Sequence, residues 1–256
     1  RLHGIADFYL VHNRPIARHV DDSIVRLVAG RELVTRRARG YAPLPIHVKQ
    51  EGPSVLAVGG HLKNTIAVSK GHSIYVGQHL GNLETTTAME AFQKSVEDLP
   101  ALHQAEPLYT ACDMHPGYAS TQYARKTSVE PIMIQHHFAH IAACMSENEL
   151  TGEVLGVCWD GTGYGPDGTI WGGEFLQATP ETFSRYAHFR TFRLPGGERA
   201  VVEPRRCALS VLYELYGEAA LERADLLPLQ RFKDHERHNL VAMIKQHVNA
   251  PLTSSA

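Results

Sequence analysis

The strongest constraint on the fold is an alternation of short apolar segments with helical patterns, which begins at Ser54. Residues 55–58 form an apolar run that leads into Gly59-Gly60, as a buried strand followed by a tight turn does. Residues 87–99 carry apolar side chains at helical spacing. The same reasoning predicts strands at 65–68, 73–76 (after a turn at Lys70-Gly71), 107–112 and 131–134, and helices at 118–126 and 136–147. This order predicts an α/β domain with a mixed sheet.

A strand, a glycine-rich turn and a second strand occur twice in the chain. The first unit covers residues 55–68, and the second covers residues 154–176. This repetition favours a fold built from two similar halves. Residues 203–216 predict an amphipathic helix, and no complete second half is visible after Leu227. We therefore expect the chain to end inside the second half.

The first 45 residues follow a different pattern. Residues 5–11 and 23–28 are predicted strands, and residues 36–45 contain a glycine and two prolines that interrupt regular structure. We therefore expect two separable regions, 1–45 and 54–256, which join between Gly40 and Ser54.

Composition argues against several classes of protein. The 25 basic and 27 acidic side chains give a net charge of −2, so the chain as a whole has no attraction to nucleic acid or to an anionic membrane. No apolar run approaches the ~20 residues that span a bilayer. The four cysteines are far apart and form no C-x-x-C pair, which disfavours a disulfide framework or a cysteine zinc site. We expect reduced thiols in a cytoplasmic protein.

Three residues form a candidate metal site. His136 and His140 lie four residues apart on a predicted helix, so both imidazoles share one face. Asp160 ends the following predicted strand, where carboxylates of open α/β sheets commonly gather. Two imidazoles and one carboxylate suit Fe(II) or Zn(II) better than Mg(II) or Ca(II).

The spacing also allows other interpretations. Among 16 histidines, about one i,i+4 pair is expected by chance, so the pair is equally an ordinary surface or core pair. Position 137 is a histidine rather than the glutamate of H-E-x-x-H, which argues against a zinc peptidase. Asp160 alone is also a common turn residue.

Two glycine-rich segments are candidate phosphate cradles. Gly161, Thr162 and Gly163 offer unobstructed backbone N–H groups, and Gly59-Gly60 followed by Lys63 and Asn64 offers the same with a cation. Neither has P-loop spacing, and each alone is a common tight turn. We expect both turns to line one nucleotide cleft, so that Gly163→Val would block nucleotide while leaving the metal site in place. The first region contains five further candidates for contacts with phosphate or carboxylate groups: His12, Arg14, Ser23, Arg37 and Arg39. The alternative is that these side chains belong to a solvated basic linker and bind nothing.

Longer motifs resemble one known family. The segments 6–16, 21–26 and 36–41 resemble the end of the YrdC-like domain of the HypF-type carbamoyltransferases. Six further segments resemble the TsaD-like domain of the same family: Gly59-Gly60-His61-Leu62-Lys63-Asn64-Thr65, Gln78-His79-Leu80-Gly81-Asn82-Leu83-Glu84, Asp113-Met114-His115-Pro116, Gln135-His136-His137-Phe138-Ala139-His140, Asp160-Gly161-Thr162-Gly163-Tyr164-Gly165 and Trp171-Gly172-Gly173-Glu174-Phe175. The resemblance runs in register from residue 1 to about residue 216.

The resemblance implies a fold and a function. The fold would be an actin-like mixed-sheet domain of the ASKHA/RNase H-like class, truncated, and preceded by the end of a YrdC-like α/β domain. The activity would be ATP-dependent activation of carbamoyl phosphate to carbamoyl-adenylate, and transfer of the carbamoyl group to the C-terminal cysteine of a HypE-like partner in [NiFe]-hydrogenase maturation. His136, His140 and Asp160 would bind Fe or Zn, and the family's further acidic ligand is not found in this chain. Two alternatives are a TsaD-like transferase that acts on tRNA and a non-catalytic nucleotide-binding module.

Overall fold

The computed structural model describes residues 3–126, 130–223 and 225–255, and in this part of the chain one two-stranded and two five-stranded sheets form the framework. The strands are β1 (Ile24–Val28), β2 (Arg31–Arg36), β3 (Pro45–Gly52), β4 (Val55–Ala57), β5 (Ala67–Val76), β6 (Tyr109–Asp113), β7 (Ile132–Ile134), β8 (Val154–Tyr164), β9 (Ile170–Ala178), β10 (Phe183–His188), β11 (Phe192–Arg193) and β12 (Leu252–Thr253). The helices are α1 (Thr86–Leu102), α2 (Ala119–Ala124), α3 (His136–Glu147), α4 (Glu198–Val202), α5 (Pro204–Tyr216), α6 (Leu227–Gln230) and α7 (Asp234–Gln246), with a 3-10 helix at Gly217–Glu222.

The first region contains a single described hairpin, β1–β2. The strand predicted at residues 5–11 is wrong, because these residues are irregular and largely exposed and pair with no described strand. The first region nevertheless contacts the second. The side chain of Gln78 donates to the carbonyl of His19 at 2.7 Å, and Arg18 forms an ion pair with Asp98 at 3.2 Å.

The first large sheet has the order β3-β5-β4-β6-β7. Its strands β4, β6 and β7 are parallel neighbours, whereas β5 runs antiparallel to both β4 and β3, so the predicted mixed sheet is confirmed. The strand β3 is an edge of this sheet. This strand lies within the predicted join between Gly40 and Ser54, and it pairs with the sheet of the second region.

The predicted turn at Lys70-Gly71 is also wrong, since β5 continues through it. Gly71 has a φ of +57° and lies opposite an irregular part of β3, so the glycine accommodates a local irregularity rather than reversing the chain. Lys70 donates its ammonium to the carbonyls of His103 and Gln104, which directs it toward the end of α1.

The second large sheet is centred on β9. The strands β8 and β10 pair antiparallel with β9, and β12 pairs parallel with it at Thr253↔Ile170. The strand β8 extends to Tyr164, so residues 161–163 lie inside a strand with a shifted register and not in the predicted turn. The hairpin turn comes after them at Gly165, whose N–H donates to the carbonyl of Thr169 at 2.9 Å.

Helices cover the sheets and bury three apolar cores. Phe92, Val96 and Leu99 of α1 pack on the first sheet, while Ile141 and Met145 of α3 pack on β8 and β9. The helix predicted at residues 136–147 is confirmed at both ends. The C-terminal helices form a third core, around Leu209, Leu229, Phe232, Leu240 and Val241. Among the described helices, none is long and apolar enough to cross a membrane.

Glu174 of β9 ties three segments together below the surface. Its fully buried carboxylate accepts hydrogen bonds from the guanidinium of Arg185 at 2.6 and 2.9 Å, from the N–H of Gly172 at 3.1 Å and from the hydroxyl of Ser254. The Arg185 guanidinium also lies 4.2 Å from the centroid of the Trp171 ring. The ion pair therefore joins β9, β10 and the C-terminal segment.

We predict that Glu174→Ala lowers the free energy of unfolding by about 3–5 kcal/mol, because it removes the buried carboxylate from a largely buried guanidinium and leaves only the longer contact with Asp167 at 3.4 Å. Urea denaturation of the whole chain measures the change. The matched control Glu181→Ala removes an exposed carboxylate, and its effect should stay within about 0.5 kcal/mol. A loss below about 1 kcal/mol for Glu174→Ala would show that this ion pair does not hold the sheet together.

Candidate metal centre

The helix that carries the two histidines is fixed at its first residue. The strand β7 ends at Ile134, and the side-chain oxygen of Gln135 then accepts a hydrogen bond from the N–H of Phe138 at 2.9 Å. This N-cap starts α3 at His136, so His136 and His140 lie one turn apart on the same face.

The side chains of His136, His140 and Asp160 converge, as the sequence predicts. The Nε2 atoms of the two histidines are 3.2 Å apart, and Oδ2 of Asp160 lies 3.0 Å from Nε2 of His136 and 3.6 Å from Nε2 of His140. Among the described residues, these three form a group of potential ligands whose donor atoms all lie within 4.8 Å of one another. The prediction that a helix pair and a distant strand residue meet is confirmed.

The three donor atoms fit a divalent cation. Metal–ligand bonds of ~2.0–2.2 Å in a tetrahedral arrangement separate neighbouring ligand atoms by ~3.3–3.6 Å, close to the separations observed here. Two histidines with one carboxylate are typical of Zn(II) or Fe(II) sites with open coordination positions. The side chain of His140 is 57% exposed and that of Asp160 is 39% exposed, so the centre opens toward solvent on one side.

The charges around the centre favour a cation. Hydrogen bonds to Asp113 and then to Asp160 raise the pKa of His136 to about 9. His136 and His140, together with the N–H of Gly161, hold the pKa of Asp160 far below its ordinary value. The carboxyl groups of Asp113 and Asp160 therefore lie on opposite sides of one imidazole, and a divalent cation can replace the proton on Nε2 of His136.

His137 does not belong to this group. Its side chain is fully buried, and burial followed by the nearby His136 lowers its pKa to about 4. Its Nδ1 lies 3.2 Å from the amide nitrogen of Gln135, and within the described chain its Nε2 has no hydrogen-bond partner. It serves as a neutral core residue beneath the metal-facing side of α3.

Gly163 brings β8 against this helix. A Cβ atom there would lie 2.5 Å from Cε1 of His137 and 2.9 Å from Cβ of His136. The expectation that Gly163→Val leaves the metal site largely in place is therefore wrong, since the added side chain would displace His136, one of the candidate ligands, together with His137. The φ of Gly163 is not positive. Close packing, rather than backbone strain, explains the need for glycine here.

The other glycine-rich segment is a turn built around Asn64. The buried amide of Asn64 donates to the carbonyls of Val58 at 2.9 Å and Gly60 at 2.6 Å, which closes the turn after β4. Gly59 has a φ of +67°, and a Cβ there would lie 2.3 Å from the carbonyl oxygen of Thr65. The exposed Lys63 projects from the same turn.

Stacked rings connect this turn with the end of β8. His61 stacks on Tyr118 with ring centroids 5.6 Å apart, Tyr118 stacks on His115 at 4.1 Å, and His115 meets Tyr164 edge-on at 5.6 Å. Burial, followed by the charges of Asp113 and Asp160, raises the pKa of Tyr118 to about 12. Sequence reasoning assigned no role to these rings. The motif Asp113-Met114-His115-Pro116 at the end of a predicted strand was the sequence feature that could have indicated these rings.

The polar side chains that the sequence analysis proposed as ligand contacts in the first region make mainly local hydrogen bonds. The hydroxyl of Ser23 donates to the carbonyl of Arg39 at 2.8 Å, and the Arg37 guanidinium donates to the carbonyls of Tyr41 and Leu44. His12 and Arg14 lie in an exposed irregular stretch, where Nδ1 of His12 accepts from the N–H of Arg14 at 3.2 Å.

Comparison with known proteins is consistent with this architecture. Residues 50–147 match the model of the HypF Kae1-like domain, and residues 156–256 match the second subdomain of the Kae1-like domain of carbamoyltransferases. The chain belongs to the HypF family. This places its mixed α/β sheets in the actin-like fold class, as the resemblance implied.

Named relatives and solved structures cover the chain along most or all of its length. Carbamoyltransferase HypF of Synechocystis is 48% identical over 85% of the chain, and that of Rhizobium leguminosarum bv. viciae is 36% identical over 100%. The crystal structure of full-length HypF in the phosphate- and nucleotide-bound form superposes with a TM-score of 0.92 at 39% identity, covering 100% of this chain and 40% of that one. The chain spans 29% and 33% of the length of the two relatives.

We predict that the metal-free chain binds one Co(II) or Zn(II) ion, and that His140→Ala and Asp160→Ala each weaken binding about 100-fold or more by removing one of three ligands. Competition with a chromophoric chelator measures the affinity. His235→Ala, which removes an exposed helical histidine far along the chain, should bind as the wild type does. Equal affinity in all variants would remove the assignment.

We also predict that binding strengthens as the pH rises. A cation that binds Nε2 of His136 must displace a proton from a group whose pKa is raised to about 9, so the association constant should rise about tenfold per pH unit between roughly pH 7 and 8.5. Calorimetry in two buffers of different ionisation enthalpy measures the proton released. A flat pH dependence would contradict this binding mode.

Proposed function

We propose that this chain supplies the metal-bearing transferase site of a carbamoyltransferase that acts in [NiFe]-hydrogenase maturation. The observation that carries the proposal is the convergence of His136, His140 and Asp160 in a chain of the HypF family. The relatives it matches are named carbamoyltransferases. Family membership favours this activity over transfer to tRNA.

The proposed substrates are carbamoyl phosphate and ATP. Hydrolysis of carbamoyl phosphate would give carbamate and phosphate, and attack of carbamate on the α-phosphate of ATP would give carbamoyl-adenylate and pyrophosphate. A bound Fe or Zn ion would act as a Lewis acid on the carbonyl or phosphoryl oxygen of the carbamoyl-adenylate. His136, His140 and Asp160 would hold the ion. The solvent-facing side of His140 and Asp160 leaves a direction from which the substrate can approach.

The nucleotide is proposed to lie beside the metal centre. Lys63 at the exposed end of the first turn is available to a phosphate group, while Asn64 keeps that turn in shape. Gly161 has open space around its Cα and can approach a ligand closely, whereas Thr162 and Gly163 continue along β8 toward α3. The rings between the two segments support one continuous cleft.

The proposed acceptor is a HypE-like protein that presents a C-terminal cysteine. A thiol must become a thiolate to attack a carbamoyl carbon, and a cationic centre would favour the thiolate. The four cysteines of this chain are free in the structure, which suits the reducing cytoplasm proposed for the reaction.

We predict the outcome of a chimera experiment. The 256 residues replace the aligned third of the Rhizobium leguminosarum relative, and transfer of labelled carbamoyl to a HypE-like protein is measured. The chimera should be active, and His140→Ala in the chimera should reduce transfer at least about 100-fold by removing a metal ligand. His235→Ala should leave transfer unchanged.

The controls distinguish the alternatives. If the chimera is folded and binds the metal but His140→Ala leaves transfer unchanged, the centre is not catalytic. If the chimera binds nucleotide and metal but transfers nothing while the unmodified relative is active, a non-catalytic nucleotide-binding role replaces the proposal.

A further inference from the structure

Asp113 is brought to the metal-bearing helix by the order of the first sheet. It ends β6, which lies parallel to β7 with Asp113 opposite Ile134. Because α3 starts only two residues after Ile134, the carboxyl end of β6 lies beside the first residue of the helix. Asp113 belongs to a strand-ending motif that the metal set does not use.

Both carboxylate oxygens of Asp113 are engaged. Oδ2 lies 2.7 Å from Nδ1 of His136, and Oδ1 accepts the N–H of His115 at 2.8 Å. The main-chain carbonyl accepts the hydroxyl of the buried Thr121 at 3.0 Å. The side chain is only 7% exposed, so the carboxylate is held in one orientation by backbone and core before any ligand arrives.

This contact acts on the nitrogen of His136 that faces away from the centre. The carboxylate oxygen of Asp113 is placed to accept a hydrogen bond from Nδ1 of His136. The opposite nitrogen, Nε2, faces His140 and Asp160, and it can offer a lone pair to a cation that replaces its proton while Nδ1 keeps its own. Asp113 cannot itself bind the same cation in this arrangement, because the imidazole ring lies between them.

His140 is held differently. Within the described part of the chain, the side chain of His140 contacts His136 and Asp160 through Nε2 alone, and more than half of it is exposed. The two histidines therefore differ: His136 is a fixed ligand and His140 is a freer one.

We propose that Asp113 is a positioning residue whose carboxylate fixes the ring orientation and the Nδ1-protonated form of His136, so that Nε2 is presented to the cation. The proposal rests on the metal site of the proposed function. Outer carboxylates of this kind alter metal affinity by about 10–100-fold when they are removed.

The decisive variant is Asp113→Asn, which preserves shape. One amide oxygen cannot serve both His115 and His136. If the oxygen keeps the N–H of His115, the amide nitrogen faces Nδ1 of His136 and favours the wrong tautomer. We expect Asp113→Asn to weaken Co(II) affinity about 10–100-fold and to change the visible d–d spectrum of the bound ion, with little loss of thermal stability. The matched control Asp98→Asn, at an ion pair in α1, should leave affinity and spectrum unchanged.

A double-mutant cycle identifies the route of the effect. In a His136→Ala background, Asp113→Asn should weaken the remaining Co(II) affinity less than about twofold, because its partner is gone. Wild-type affinity and spectrum for Asp113→Asn, or an equal loss in both backgrounds, would overturn the proposal. If the wild-type chain binds no Co(II) or Zn(II), the metal site itself fails, which is a separate result.

A measurement without a variant at position 113 covers the case in which Asp113→Asn does not fold. Long-range ¹H–¹⁵N spectra of the zinc-loaded wild-type chain should show His136 protonated at Nδ1, with Nε2 shifted by the metal. His136→Gln assigns the signals by their loss. Protonation at Nε2, or zinc at Nδ1, would overturn the proposal.

Discussion

One imidazole ring connects the two large sheets. His136 meets Asp113 on Nδ1 at 2.7 Å and Asp160 on Nε2 at 3.0 Å. Asp113 ends a strand of the first sheet, and Asp160 lies in β8 of the second. The geometry of the candidate centre therefore depends on one helix that follows the last strand of the first sheet and packs on the second sheet, and on the hydrogen bonds at its first residue.

Close packing gives this arrangement its rigidity. The Cα of Gly156 lies beneath Ile141, and Gly163 lies against His136 and His137, so that α3 rests on β8 with no room for an added Cβ. The buried side of the helix is therefore fixed, while His140 and Asp160 face solvent. A fixed inner histidine beside two accessible side chains would suit the proposed centre, which would hold a cation and leave a side open to substrate.

Several elements were predictable because their signals are local. The helix at residues 136–147 is indicated by apolar spacing and begins after a capping glutamine, and the i,i+4 histidines share a face because of helical geometry. The two incorrectly predicted turns lie in segments whose structure depends on pairing with neighbouring strands. β5 continues through Lys70-Gly71 because β4 pairs with its first residues and β3 pairs with it from Gly71 onward. β8 continues through residues 161–163 because β9 lies beside it. Glycine marks both places, but its role there is irregular pairing or close approach rather than chain reversal.

The sequence by itself determined the class of fold, the helix that carries His136 and His140, and, through its motifs, the HypF family. These depend on periodicity, local capping and the order of residues, all of which are properties of the chain read in one dimension. Only the tertiary structure decided the distances at which the predicted partner Asp160 meets the histidine pair, that Asp113 lies behind His136 and that His137 is a buried neutral residue. Strand order and burial set these relations between distant residues, because the partners of a carboxylate or an imidazole depend on which segments the sheets place side by side.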